Sequence, residues 1–188
     1  MKHDKINIVV AITAASGAIY ARLTLEALLH SESVGRIALI YSTHAAEVAE
    51  YEGVCMPDDK RIIRYSNDNM FAPLASGSAA YDAMIIVPCS TGTLGRIASG
   101  VSQTLIERTA DVMLKERRPL VLALREAPYS LIHLRNMVTV TECGAVIVPA
   151  SPSFYSHPQS IEELCSTVIE RILHHAGVDA EHYEWNGR

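Results

Sequence analysis

Short unbroken apolar runs constrain this chain most. Residues 6–12, 36–41, 83–87, 120–124 and 145–148 are dominated by Val, Ile and Leu, and the main polar interruptions are Asn7 and Arg36. A half-buried strand alternates apolar and polar side chains. A continuous run implies burial on both faces, as in a parallel sheet covered by helices. Helix-length segments at 18–29, 45–51, 91–99, 104–117, 131–141 and 160–174 lie between or after these runs. The last opens with Ser160 and Glu163, a capping-box pattern. Its apolar Ile161, Leu164, Cys165, Val168 and Ile172 recur at helical spacing, and Gly177 supplies a stop signal. Residues 53–80, with Pro57, Asp58, Asp59, Asn67, Asp68, Asn69 and Pro73, read as a loop region holding one short edge strand at 61–65. The pattern predicts an α/β fold with a doubly wound parallel sheet. A length of 188 residues suits one domain, 1–188, at roughly 150 residues per domain.

Composition excludes several function classes. Sixteen Lys and Arg stand against 21 Asp and Glu, a net charge of −5. Without a basic block, neither sequence-independent nucleic-acid binding nor attachment to anionic lipid is expected. Cys55, Cys89, Cys143 and Cys165 form no C-x-x-C pair, and no His lies at finger spacing from them, so no metal is expected and a reducing compartment fits. No apolar run approaches the roughly 18 residues of a membrane span. The segment from Met1 to Ala15 superficially resembles a signal peptide. Asp4 and Asn7 argue for a first strand instead, and hence for a cytoplasmic protein.

In open parallel sheets, ligands bind outside the carboxyl ends of the strands. Here those ends carry Thr13-Ala14-Ala15-Ser16-Gly17, Ser42-Thr43, Pro88-Cys89-Ser90-Thr91-Gly92-Thr93, Arg125-Glu126-Ala127-Pro128, and a stretch leading to Phe154-Tyr155. Ser16-Gly17 and Ser90 to Thr93 each place hydroxyls and small residues at a helix start, where free N–H groups favour a phosphate; plain N-capping is the alternative. Neither G-x-G-x-x-G nor G-x-x-x-x-G-K-[ST] occurs. Arg125 and Glu126 directly follow a buried strand, where an unpaired charge is costly. Arg125 suits a phosphate or ring carbonyl, and Glu126 suits proton transfer. Cys89, at a buried strand end, reads as packing. Arg171 and Lys115, taken alone, read as solvated cations. Trp185 in a polar tail is expected to pack against something.

These residues resemble the UbiX-type flavin prenyltransferases, of the flavodoxin-like superfamily that includes flavin-dependent cysteine decarboxylases. The matching stretches are Thr13 to Tyr20, Ala75-Ser76-Gly77-Ser78, Pro88-Cys89-Ser90, Ala110 to Leu122 with its Lys115-Glu116-Arg117-Arg118-Pro119-Leu120, Arg125-Glu126-Ala127-Pro128, His133-Leu134, Gly144 to Ile147, and Phe154-Tyr155 with His157-Pro158-Gln159-Ser160. The resemblance implies a three-layer α/β/α fold and transfer of a dimethylallyl group from dimethylallyl phosphate to N5 and C6 of reduced FMN. The product, prenylated FMN, serves a UbiD-type decarboxylase. It also implies a homo-oligomer, a dodecamer, whose sites are shared between subunits. By resemblance FMN is held by Ala14, Ala15, Ser16, Ser42, Ser90, Thr91, Gly92, Thr93 and Arg125. Glu52, Lys115, Tyr155, Arg171 and Trp185 face the prenyl phosphate or the prenyl group. Ser16 and Glu126 handle protons.

The chain departs from the family pattern in two places. Ala14 stands where Gly is usual, which tightens the first turn against the flavin. Gly92 stands where Lys is frequent, which removes one cation near FMN. Two rival activities remain open: an FMN-dependent decarboxylase of the same superfamily, and a non-catalytic FMN-carrying subunit. The Pro-x-Met-Asn-x-x-Met-Trp segment of the cysteine decarboxylases is missing here, and Glu126, Lys115 and Arg171 are all retained.

Overall fold

The computed structural model of the protein describes residues 5–179. The apolar runs become six parallel strands: β1 (Ile6–Ile12), β2 (Val34–Tyr41), β3 (Ile62–Tyr65), β4 (Ala83–Cys89), β5 (Leu120–Leu124) and β6 (Val146–Pro149). They lie in the order β3-β2-β1-β4-β5-β6. The order β2-β1-β4-β5-β6 is the flavodoxin-like arrangement, which β3 extends at one edge. Continuous apolarity has the expected consequence, since every residue of β4 and β5 is buried. Successive side chains point to opposite faces. Ile8, Val10 and Ile12 therefore enter one core layer with Leu25, Leu28 and Ile172, whereas Val9 and Ala11 enter the other with Leu94, Leu105 and Met113.

The helices are α1 (Ala18–His30), α2 (Ala45–Tyr51), α3 (Thr91–Ala98), α4 (Leu105–Lys115), α5 (Leu131–Glu142) and α6 (Ile161–His175). The chain direction reverses at each βα turn, so the carboxyl ends of all the strands share one rim. Two details refine the sequence reading. Ser160 caps α6 by accepting the Glu163 N–H at 3.0 Å, but the Glu163 carboxylate takes the N–H of Gln159 at 2.7 Å instead of completing a box with Ser160. Residues 53–80 hold β3 and a 3₁₀ turn at Pro73–Ala75. Asn7, the polar break in the first run, ties the amino edge: its side chain accepts the Arg36 N–H at 2.9 Å and donates to the Ala80 carbonyl at 2.9 Å.

Helix α5 departs from the pattern of the others. Only Val140 is buried, while Leu131, Ile132 and Val138 are 60%, 69% and 57% exposed. These large apolar side chains are left facing solvent within this chain.

Candidate functional site

The strand order reverses between β1 and β4, and Thr13 holds these two strand ends together. Its buried hydroxyl donates to the Pro88 carbonyl at 2.8 Å and accepts the Ser90 N–H at 2.8 Å. The Arg125 N–H reaches the Cys89 carbonyl at 3.1 Å, which anchors the exit of β5 to the same place. Around this point the sequence-predicted hydroxyls gather. Ser90 caps α3, accepting the Thr93 N–H at 3.3 Å and donating to Thr93 Oγ1 at 3.1 Å. Ser42, at the end of β2, accepts the Ala14 N–H at 3.1 Å. Thr91 donates to Glu126 at 3.3 Å, and the other Glu126 oxygen accepts the Ala127 N–H at 3.0 Å. Arg125 and Glu126 do not pair with each other among the described residues. The Arg125 side chain stays exposed on the rim, and its charge acts on Glu52 and Tyr20. The buried Cys89 thiol is pushed up to about 12 by burial. That leaves it a packing residue, as the sequence suggested.

The start of α1 corrects one expectation. Ser16-Gly17 reads from sequence as a phosphate cradle, yet the N–H groups of Gly17 and Ala18 are already taken. The Glu52 carboxylate accepts the Gly17 N–H at 2.9 and 3.0 Å and the Ala18 N–H at 2.7 Å. Gly17 adopts φ of 105°, a left-handed turn that turns the N–H groups toward Glu52. Partial burial pushes the Glu52 carboxyl up. The Ser16 hydroxyl, the two N–H groups and the Arg125 charge outweigh it and hold the carboxyl below its ordinary range. The negative end at this turn is thus supplied by the chain itself.

Of the other predicted residues, Lys115 lies away from the rim, and Tyr155 and Arg171 lie beside β6. Lys115 ends α4, at the amino edge of β5, with its ammonium on Glu116. There two of the family motifs touch: Arg118 donates to the carbonyls of Ala79 at 3.0 Å and Gly77 at 2.8 Å. A side chain at Gly77 would run into Lys115 and Glu116. Arg171, on α6, opens into a cavity of about 410 Å³ beside β6 with Ser151, Ser153, Thr167 and His175. Tyr155 is exposed in the loop before α6. Trp185 lies outside the described residues. Sequence reasoning missed Thr13 as the clamp of the rim; its signal was a hydroxyl at the end of an otherwise apolar run.

Known proteins match this arrangement. The sequence profile of the Flavoprotein family matches residues 1–173. The flavin prenyltransferase UbiX of Pseudomonas aeruginosa is 43% identical over 187 residues, covering 92% of this chain and 90% of its own. The chain belongs to the UbiX flavin prenyltransferases of the Flavoprotein family. Among solved structures, AnUbiX in complex with FMN and dimethylallyl pyrophosphate is 43% identical, with a TM-score of 0.90 over 98% of this chain and 99% of that one. A dodecameric FMN-dependent UbiX-like decarboxylase from Escherichia coli O157:H7 is 34% identical, with a TM-score of 0.88 over 97% and 100%. Among the described residues no cluster of potential metal ligands occurs, and no helix is long and apolar enough to cross a membrane.

Proposed function

We propose that this protein joins a dimethylallyl group, carried on a phosphate, to N5 and C6 of reduced FMN, and that the prenylated FMN serves a UbiD-type decarboxylase. One observation carries the reading. At the β1–β4 switch point Ser42 ties down the turn after β1, Ser90 and Thr93 bond each other at the start of α3, and Thr91 reaches Glu126, in a chain 43% identical to a protein crystallised with FMN and dimethylallyl pyrophosphate.

The rim fits a flavin. Its hydroxyls and exposed guanidinium suit a phosphate and a ring carbonyl, and Ala14 and Ala15 bring small side chains, and Gly92 none, to the same edge. When bound, reduced FMN supplies the electron-rich ring that receives the allyl group. The chain supplies the rest. Breaking the allylic C–O bond builds positive charge on the prenyl unit and negative charge on phosphate. Lys115, Tyr155 and Arg171 hold that phosphate, stabilising charge that grows in the transition state. Glu126, oriented by Thr91 and the Ala127 N–H, gives the leaving phosphate a proton. Ser16, hydrogen-bonded to Glu52, handles the proton near N5. Exclusion of water protects the allyl cation.

Lys115 lies at the opposite edge of its own sheet from Glu126, so a complete site needs Lys115 from a neighbour. The exposed apolar face of α5 suits such a contact. We therefore take the working form to be a homo-oligomer, a dodecamer as in the Escherichia coli relative, located in the cytoplasm, where its free cysteines suit the reducing conditions. Incubation with reduced FMN and dimethylallyl phosphate is expected to yield a flavin heavier by one five-carbon unit. An unchanged flavin would contradict the assignment and leave the carrier or decarboxylase activities.

A further inference from the structure

A cavity of about 310 Å³ opens at the carboxyl ends of β2 and β4, lined among others by Ser42, Thr43, Thr93, Arg96 and Glu107. Ser42 Oγ accepts the Ala14 N–H at 3.1 Å. Thr93 Oγ1 accepts both the Ser90 hydroxyl and an Arg96 Nη2–H, each at 3.1 Å. The partly exposed Ser42 hydroxyl spends acceptor capacity inside the protein and keeps its own proton for a ligand, and the exposed Thr43 hydroxyl lies beside it, while Thr93 is buried in the cavity wall. The Arg96 side chain is 46% exposed, whereas Glu107, which accepts its Nε–H, is 2% exposed. The other Glu107 oxygen accepts the Thr104 N–H at 2.9 Å. The carboxylate is thereby satisfied behind the guanidinium and does not present free negative charge to the cavity. Position 92 has no side chain, and Arg96 Nη1 lies 3.5 Å from where its Cβ would be, so the guanidinium leans over the first turn of α3. A planar cation clamped from behind, with two hydroxyl donors beside it, is preorganised for a phosphate.

We propose that Arg96, held in place by Glu107, binds the phosphate group of FMN and makes this protein select FMN over riboflavin, which has the same ring system and no phosphate. The proposal rests on the flavin reading above. It predicts that the ring end of the ligand lies toward Arg125 and Glu126 and the phosphate end toward α3.

Titration of the apoprotein with FMN and with riboflavin, followed by flavin fluorescence, tests it. Removing Arg96 alone would strand a buried carboxylate, so the main variant is Arg96→Met with Glu107→Gln. It is expected to bind FMN about 10- to 100-fold more weakly, the range for loss of charge-assisted hydrogen bonds, with riboflavin affinity unchanged. Arg96→Lys keeps Glu107 paired but loses the planar fork, and is expected to fall between. Added salt is expected to weaken FMN binding to the wild type and have little effect on the double variant. Unchanged FMN affinity in the double variant, or an equal loss for FMN and riboflavin, overturns the role of Arg96. A wild type that binds neither ligand overturns the flavin reading itself.

Discussion

The contact between Glu52 and the start of α1 gives the sharpest quantitative expectation. Glu52 carries one negative charge onto a helix N-terminus and satisfies the N–H groups of Gly17 and Ala18. Loss of a capping acceptor costs about 0.5–2 kcal/mol, and loss of a charge at a helix N-terminus about 0.3–1 kcal/mol more. Glu52→Ala should therefore cost about 2 kcal/mol at pH 7. For a domain of this size that lowers Tm by about 4–8 °C. The effect must depend on pH with a definite sign. The folded carboxyl sits below its ordinary range, so its contribution is complete above the unfolded value and disappears as pH falls through the folded one. Melting curves followed by circular dichroism at pH 7, 5 and 3.5 should show the gap between wild type and Glu52→Ala shrinking toward the acid end. A gap that stayed constant or widened on acidification would refute the role of the charge. It would leave Glu52 with a packing role only.

The other predictions concern the rim and its neighbours. Thr13→Val removes the link between the ends of β1 and β4 and strands the Ser90 N–H, so melting should show a loss of about 1–3 kcal/mol. Glu126→Gln should keep FMN binding and slow prenylation in product-mass assays; equal activity would remove Glu126 from the chemistry. Glu126→Gln and Lys115→Ala, each slowed when expressed alone, should regain full activity in about one site in four when co-expressed, because mixed oligomers can pair an intact rim with an intact lysine. Absence of any recovery would place both residues in one chain's site. Ile132→Asp puts a charge on the exposed face of α5 and should yield smaller assemblies in size-exclusion chromatography, whereas an unchanged size would move the interface elsewhere.

Much of this architecture was legible because the signals are local. Unbroken runs at 83–87 and 120–124 mark strands buried on both faces, and Ser160 marks the start of α6. Loop chemistry at strand ends pointed to the rim before any residue was placed on it. What sequence could not supply is pairing between distant segments. Glu52 stands 35 positions from Gly17, and no periodicity shows that its carboxylate fills the turn that Ser16-Gly17 appeared to leave for a phosphate. Arg96 and Glu107 are 11 positions apart on different helices, so neither helical pattern announces the clamp. Lys115 illustrates the reverse case. Its motif is recognisable, but only the sheet geometry puts it at the amino edge, opposite Glu126, and so asks for a neighbouring subunit.

Flavin is expected to bind across the carboxyl ends of β1, β4 and β5. A crystal structure of the protein grown with FMN should show the phosphate within hydrogen-bonding distance of Ser42 and Thr93 and the ring system beside Arg125. FMN bound in the cavity beside Arg171, or on any surface remote from Thr13, would contradict it.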